Sequence, residues 1–281
     1  MALTLASSGQ GGVFTVRAGS FGGRLQASVS PTVPPIDADA QAFFSRVTAA
    51  GGALSATEQT AVNTLTVSLK AASIWTKLRV IYPMVGASAA ACSQNLKSSL
   101  YTGVFSGTWT YASTGVTPGG GANLEVPLNL NTMNSINDIS FGYYNRTQDL
   151  IGQVGSYGWV NIGTLPYIQF FMKYNDGNRY GYIFDSDNSG GSAGDIRGLN
   201  SITRINATQK TMQLNSTLST FNANSSGTLY SVNFSFVRGS QGSEFQRENA
   251  FGFVGDGLTS TNLSDLYTTV QAFQTSLSRQ V

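Results

Sequence analysis

The chain contains no histidine, and this absence removes several kinds of chemistry. Without histidine there is no Ser-His-Asp triad, no histidine general base and no histidine-ligated metal centre. Cys92 is the only cysteine, so an internal disulfide and a cysteine-ligated zinc or iron–sulfur cluster are excluded as well. We therefore expect a binding or structural protein rather than an enzyme, with no resident cofactor.

Charge is also scarce. Charged residues make up 11% of the 281 residues, against roughly 25% in an ordinary soluble domain. The net charge is +2 and no dense Lys/Arg run is present, so we expect no nucleic-acid partner. The longest mostly apolar run, residues 80–92, is interrupted by Pro83 and is too short for a membrane-spanning helix. We expect no membrane insertion, and the first residues lack the pattern of a secretory signal.

The chain is rich in glycine, serine, threonine and asparagine. The spacing of its apolar residues changes along the sequence. Residues 1–36 hold two short alternating runs among glycine pairs and end in a proline-rich stretch. They are either a disordered tail or an extended arm that pairs with a neighbouring subunit. Residues 37–79 have helical spacing, with Asp37 or Asp39 as the first N-cap. Ser55 and Glu58 form a capping box that starts a second helix.

From residue 80 to about 258 the period changes to two. Short apolar and aromatic runs alternate with Gly, Asn, Asp and Pro, and no helical pattern lies between them. Asp176-Gly177, flanked by strand-forming residues, predicts a tight hairpin. Residues 259–281 return to a helical stripe that we expect to pack on the strands. The predicted fold class is mainly β: an antiparallel β-sandwich with an N-terminal helical pair and a C-terminal helix.

Five segments together have a familiar appearance: Asp37–Phe44, Glu58–Leu65, Ile74–Gly86, Phe251–Thr259 and Leu266–Leu277. They resemble a family of tailed-bacteriophage virion proteins that carry a small helical region followed by a concanavalin A-like (laminin-G-like) jelly roll. The resemblance extends over about residues 37–281 and is at pattern level in the middle strands. It implies a virion location, as a tail, fibre or head-decoration component. It supplies no catalytic residue.

One short segment begins like a calcium loop. Asp185 and Asp187 stand at the first and third positions, with a glycine at the sixth, and oxygen ligands suit a hard cation. The twelfth position is Ile196 instead of glutamate, so an EF-hand is excluded. A looser calcium site made by Asp185, Asp187 and Asp195 stays open, against the alternative that these residues form turns between strands.

Several aromatic residues could form a platform for sugars. Tyr143, Tyr144 and Trp159 are the main candidates, and Tyr157 and Tyr167 lie nearby in the sequence. A flat ring stacks on a sugar face, with neighbouring amides fixing the hydroxyl groups. The alternative is that these rings fill the core, because aromatic residues in strands bury large areas.

A pair of carboxylates could also serve in glycoside hydrolysis. Such enzymes hold two acids about 5–9 Å apart. Glu244 and Glu248 would share one face of a strand. A solvated strand edge explains them more simply.

Three functions follow for testing. The first is a non-enzymatic virion component that acts through assembly with copies of itself and other virion proteins, in a closed symmetric oligomer. The alternative is a lectin-like module that recognises host-surface glycans. A glycan-cleaving enzyme is the third and weakest.

Overall fold

The structure is a computed structural model, and it describes residues 35–148, 156–160, 167–174, 176–187, 190–238 and 247–281. For the strand residues 156–160, 167, 237 and 238, the description covers the backbone. The predicted arm, residues 1–36, lies almost wholly outside the described residues. The elements below all belong to one unit, Asp37–Val281.

Four α-helices form within the described residues. They are α1 Ala38–Ala49, α2 Ala56–Ala71, α3 Ala89–Cys92 and α4 Ser260–Ser276, and a single 3₁₀ turn spans Leu130–Thr132. Among the described residues, no helix combines the length and the apolar character needed to cross a membrane.

The strands are short and antiparallel. Those of the first half are β1 Leu78–Tyr82, β2 Val104–Ser106, β3 Trp109–Ala112, β4 Gly115–Pro118, β5 Asn123–Asn129, β6 Ile139–Asn145 and β7 Ser156–Val160. Those of the second half are β8 Tyr167–Phe171, β9 Asn178–Asp185, β10 Gly190–Ser192, β11 Gly198–Arg204, β12 Gln209–Leu214, β13 Thr217–Asn222, β14 Asn233–Arg238 and β15 Asn249–Gly255.

Two sheets are built from these strands. The eight-stranded sheet has the order β13-β12-β11-β6-β15-β4-β3, with β1 pairing to β15. The seven-stranded sheet has the order β10-β9-β8-β7-β14-β5-β2. Neighbouring strands in space are often distant in sequence, as in a jelly roll. The predicted antiparallel sandwich, with helices at both ends of the chain, is confirmed.

The described residues form two hydrophobic cores, one on each side of the eight-stranded sheet. The first core fills the space between the two sheets and includes Phe141 of β6 and Phe234 of β14. The second lies between the eight-stranded sheet and the helices, and includes Phe43, Phe253 and Phe273. The eight-stranded sheet is therefore the middle layer, which explains why β6, β11 and β15 are buried at every position.

The helix caps form as the sequence predicts. The Asp37 carboxylate accepts from the Asp39 amide at 2.9 Å and holds Lys70 Nζ at 2.7 Å. The Ser55–Glu58 capping box is complete, and Thr259 and Asn262 form a second one at α4. These bonds satisfy amides that the first helical turn leaves without intrahelical partners.

The predicted hairpin is also present. Strands β8 and β9 pair antiparallel around the Asp176-Gly177 turn, and Gly177 adopts a φ of 81°. The amide of Gly177 donates to the carbonyl of Tyr174 at 3.0 Å. Glycine adopts this left-handed backbone conformation without steric cost, which is why the dipeptide predicts the turn.

Candidate functional site

The two sheets differ in what covers their outer faces. Helices α1, α2 and α4 pack on the eight-stranded sheet. The outer face of the seven-stranded sheet, here called the free face, points away from that helical layer. Strand β5 shows the difference, because Leu124 and Val126 are buried in the inter-sheet core while Asn123 and Glu125 are half-buried on the other side. Among the described residues, the helices pack on the eight-stranded sheet and not on this face.

The predicted sugar platform is wrong for the two tyrosines that the structure describes in full. Tyr143 is 2% exposed and its ring meets Phe236 at 5.0 Å between centroids, inside the inter-sheet core. Tyr144 is fully buried on the helical side, where its hydroxyl donates to Gln271 Oε1 at 2.9 Å. Successive residues of β6 point to opposite faces of a sheet that is covered on both. Neither ring can stack on a sugar.

The remaining aromatic candidates lie outside the part of the chain whose side chains are described. Tyr157 and Trp159 belong to β7, and Tyr167 begins β8. Their backbones belong to these strands, and their role in stacking on sugars stays a prediction.

A different aromatic cluster lies on the free face. The ring of Tyr174 contacts two neighbouring rings edge to face. The centroid distances are 5.3 Å to Phe171 and 5.8 Å to Tyr180. Tyr174 is 37% exposed. Phe170 points into the inter-sheet core, so its neighbour Phe171 points outward. We call these three residues the aromatic cluster.

Polar groups border the aromatic cluster. The Tyr180 hydroxyl donates to Asp176, and the Asp176 carboxylate also accepts from the Asn178 amide at 2.9 Å. The bond from Tyr180, followed by that from the Asn178 amide, lowers the pKa of Asp176, and the bond to Asp176 raises the pKa of Tyr180. Asp176 is therefore a fixed carboxylate beside exposed rings, and the hairpin that the sequence predicts is the element that positions it.

A polar groove of about 480 Å³ lies farther along the same sheet, between β5 and β14. Asn123, Glu125, Asn233 and Ser235 contribute its polar side chains. Asn233 Nδ2 donates to Glu125 Oε1 at 2.8 Å, which fixes the carboxylate. Within the described part of the chain, the side-chain oxygen of Asn123 is buried and accepts no hydrogen bond. The groove thus keeps unused hydrogen-bonding capacity.

The backbone register places Asn123 of the polar groove at the level of Phe171 and Tyr180 of the aromatic cluster, and Glu125 and Ser235 lie farther along β5 and β14. In order across the sheet, the aligned pairs are Tyr180 with Phe171, Phe171 with Ser156, Tyr157 with Val237, and Arg238 with Asn123. From β8 to β5 there are three strand spacings, or about 14 Å.

The predicted calcium site is wrong. Asp185 is fully buried, and its two oxygens contact Arg204 NH2 at 2.7 Å and Lys210 Nζ at 2.8 Å. Asp195 instead pairs with Arg197 at 2.6 Å on the surface. Among the described residues, no group of three or more acidic, cysteine or histidine side chains is arranged to hold a metal ion, so Asp185, Asp187 and Asp195 do not form one. Two protein cations occupy the carboxylate that the calcium ion would need.

The carboxylate pair considered for glycan cleavage cannot be assembled from the described residues. Glu244 lies outside them. Glu248 forms an ion pair with Arg146 and accepts from the Thr114 hydroxyl. These contacts give Glu248 a structural task at the start of β15.

Cys92, the last residue of α3, is fully buried and belongs to the inter-sheet core. Burial raises the pKa of its thiol to about 12. The thiol is protonated at neutral pH and behaves as a small apolar side chain.

Solved structures with a similar fold are known, although the sequence itself has no match. No family model and no curated protein matches the chain. Among solved structures, domain 4 of AbnA, an extracellular GH43 arabinanase from Geobacillus stearothermophilus solved in complex with arabinotriose, is similar. Its TM-score is 0.50 at 14% identity, over 68% of this chain and 98% of that domain.

Two further structures are similar at lower scores. The binding domain of botulinum neurotoxin serotype D matches with a TM-score of 0.49 at 10% identity, over 70% of this chain and 52% of that one. A Trypanosoma rangeli sialidase variant matches with a TM-score of 0.47 at 9% identity, over 75% of this chain. The chain spans only 39% of the sialidase's length. At 14% identity, the similarity to the arabinanase domain shows a shared fold.

Proposed function

We propose that this chain is a lectin-like carbohydrate-binding module and that the free face of the seven-stranded sheet is its binding surface. The observation that carries the proposal is the aromatic cluster at the same level as Asn123 of the polar groove, on the sheet face away from the helices. Flat rings beside fixed amides and carboxylates match the alternating apolar and hydroxyl surfaces of a sugar. The similarity to an arabinanase domain solved with arabinotriose supports the proposal at the level of fold.

Binding, rather than cleavage, fits the groove. Among the described residues that line it, Glu125 is the only carboxylate. Hydrolysis by the common route needs a second acid within about 5–9 Å of the first. We therefore propose a non-catalytic module.

The virion location and the partners implied by the resemblance stay predictions. They are compatible with a sugar-binding surface, because a module displayed on a particle would contact host glycans. Mass spectrometry of purified particles would test the location, and the size of the purified protein in solution would test self-assembly.

The experiment that tests the binding function compares the intact chain with Tyr180→Ala on a glycan array, followed by calorimetry with the best glycan. We expect Tyr180→Ala to weaken binding at least tenfold, which corresponds to about 1.4 kcal/mol. The matched control is Tyr267→Ala on α4, which packs in the helical core and should leave affinity unchanged. Equal losses in both variants, or no retained glycan at all, would contradict the proposal.

A further inference from the structure

We infer that the ligand of the free face is an uncharged, linear oligosaccharide of at least three sugar units that lies across the strands. This inference rests on the proposed function, because it specifies which class of glycan the same surface selects. It is carried by the separation of the two parts of the site and by the charges that each part presents.

The separation sets a minimum length. The aromatic cluster stands on β8 and on the β8–β9 hairpin, and the polar groove lies between β5 and β14. Three strand spacings, about 14 Å, separate β8 from β5 at this level. A single sugar ring is smaller than this distance and can touch only one of the two parts. Joining two weak contacts through one ligand raises affinity because the second contact forms within the complex.

The two parts are also chemically different, which fixes what each sugar unit would contact. The aromatic cluster presents ring surfaces, with Tyr174 the most exposed. The groove presents the amides of Asn123 and Asn233 and the hydroxyl of Ser235. One end of the oligosaccharide would stack on the rings while units at the other end exchange hydrogen bonds with the amides.

The charges favour an uncharged ligand. Among the described residues, each part of the site contributes one carboxylate, Asp176 beside the rings and Glu125 in the groove. Both are held by neutral donors, the Tyr180 hydroxyl and the Asn233 amide. Among the ion pairs of the described residues, neither carboxylate takes part. A uronic or sialic acid placed here would meet like charge at both ends of the site.

Two basic residues, one before the β8–β9 hairpin and one on β14, carry positive charge that would favour an acidic ligand instead. Lys173 precedes the hairpin, and its charge lowers the pKa of Asp195. Arg238 pairs with Asn123 through the backbone. If acidic glycans bound more tightly than neutral ones, these two residues would be the groups to test.

The first test measures affinity against ligand length. The intact chain is titrated by calorimetry with neutral arabino-, xylo- and gluco-oligosaccharides of one to six units. We expect one of these series to show affinity rising at least tenfold between the monosaccharide and the trisaccharide, then levelling. Equal affinity for the monosaccharide and the longest member would overturn the inference while leaving the proposed function intact. Failure of every glycan, on the array and in solution, would remove the proposed function itself.

The second test examines whether both parts act on one ligand. Tyr180→Ala and Asn123→Ala should each weaken trisaccharide binding at least tenfold. The control Asn222→Ala changes an exposed asparagine on β13, in the other sheet, and should have no effect. Loss in only one of the two site variants would show that the ligand does not span both parts.

The third test examines charge selection. Affinities are compared between galactose and galacturonic acid oligomers of equal length, from three to six units. We expect the neutral member of each pair to bind more tightly, and Glu125→Gln, which keeps a hydrogen-bonding side chain without the charge, to reduce the difference. Tighter binding of the acidic members would overturn the inference.

Discussion

The two sheets of this protein use the same kinds of residue for different purposes. The eight-stranded sheet is covered on both faces, so each aromatic residue of β6 is interior whichever way it points. Among the described residues, the seven-stranded sheet has packed apolar side chains on one face, so Phe170 is interior and Phe171 lies on the outer face. Whether a strand aromatic is core or binding surface therefore depends on the layer it occupies and not on its local pattern.

The largest expected effect comes from the contact that joins the two sheets at their buried margin. Asp185 of β9 holds Arg204 of β11 and Lys210 of β12, and all three side chains are fully buried. Asp185→Ala would leave two cations without their carboxylate. We expect the free energy of unfolding to fall by about 4 kcal/mol, because removing one partner of a buried ion pair costs several kcal/mol. Urea denaturation would measure it.

The control for this change is Asp195→Ala, which removes an exposed ion pair with Arg197. Its expected effect is below about 1 kcal/mol. A calcium-dependent stability that disappears in Asp185→Ala but not in the control would contradict the structural assignment of Asp185.

The second prediction contrasts the covered and free faces directly. Phe273 of α4 is 3% exposed and packs on Phe251 of β15 at 6.4 Å between ring centroids. Phe273→Ala should lower the free energy of unfolding by about 3 kcal/mol, since it leaves a cavity in the helical core. Tyr174→Ala on the free face should change it by less than about 0.5 kcal/mol. Similar losses in thermal denaturation would show that the free face is also a packing surface.

The smallest prediction concerns the helical layer and its dependence on pH. Burial alone would raise the pKa of Asp37, but hydrogen bonds from Lys70 and from the Asp39 amide lower it below the ordinary 3.8. A carboxyl group with a lowered pKa stabilises the fold above its unfolded pKa, and this contribution is lost as pH falls through the folded value. Asp37→Asn should therefore cost about 0.5 kcal/mol at pH 7.

That cost should shrink as the pH falls below 3.8, where the carboxyl group first protonates in the unfolded chain, and should vanish below the lowered pKa of the folded state. Chemical denaturation of both proteins across this range would show the two stabilities converging. A difference that persists unchanged at low pH would mean that the charge of Asp37 contributes nothing.

Local features of the fold could be predicted from the sequence because their causes are local. The Ser55–Glu58 capping box and the Asp176-Gly177 turn each depend on residues within a few positions, and both are confirmed. The antiparallel sandwich followed from the period-two pattern over many short runs. The non-catalytic function and the virion location depend on partners and ligands, and stay predictions.

The site residues could not be predicted because their surroundings come from distant parts of the chain. Asp185 resembles the start of a calcium loop, but its partners Arg204 and Lys210 lie 19 and 25 residues later. Tyr143 and Tyr144 are buried by layers whose order is set by strand pairing across the whole chain. The hairpin containing Tyr174 and Tyr180 was predicted as structure, and only the sheet order shows that it faces outward.

The most direct test of the account maps the bound glycan onto the two sheets. Backbone amide shifts of the isotope-labelled chain would be followed during titration with the best-binding neutral trisaccharide. We expect the largest amide shift changes in β5, β8, β9 and β14 and none in α1, α2 or α4. Shifts confined to the helical layer, or the absence of saturable shifts in the seven-stranded sheet, would contradict the free face as the binding surface.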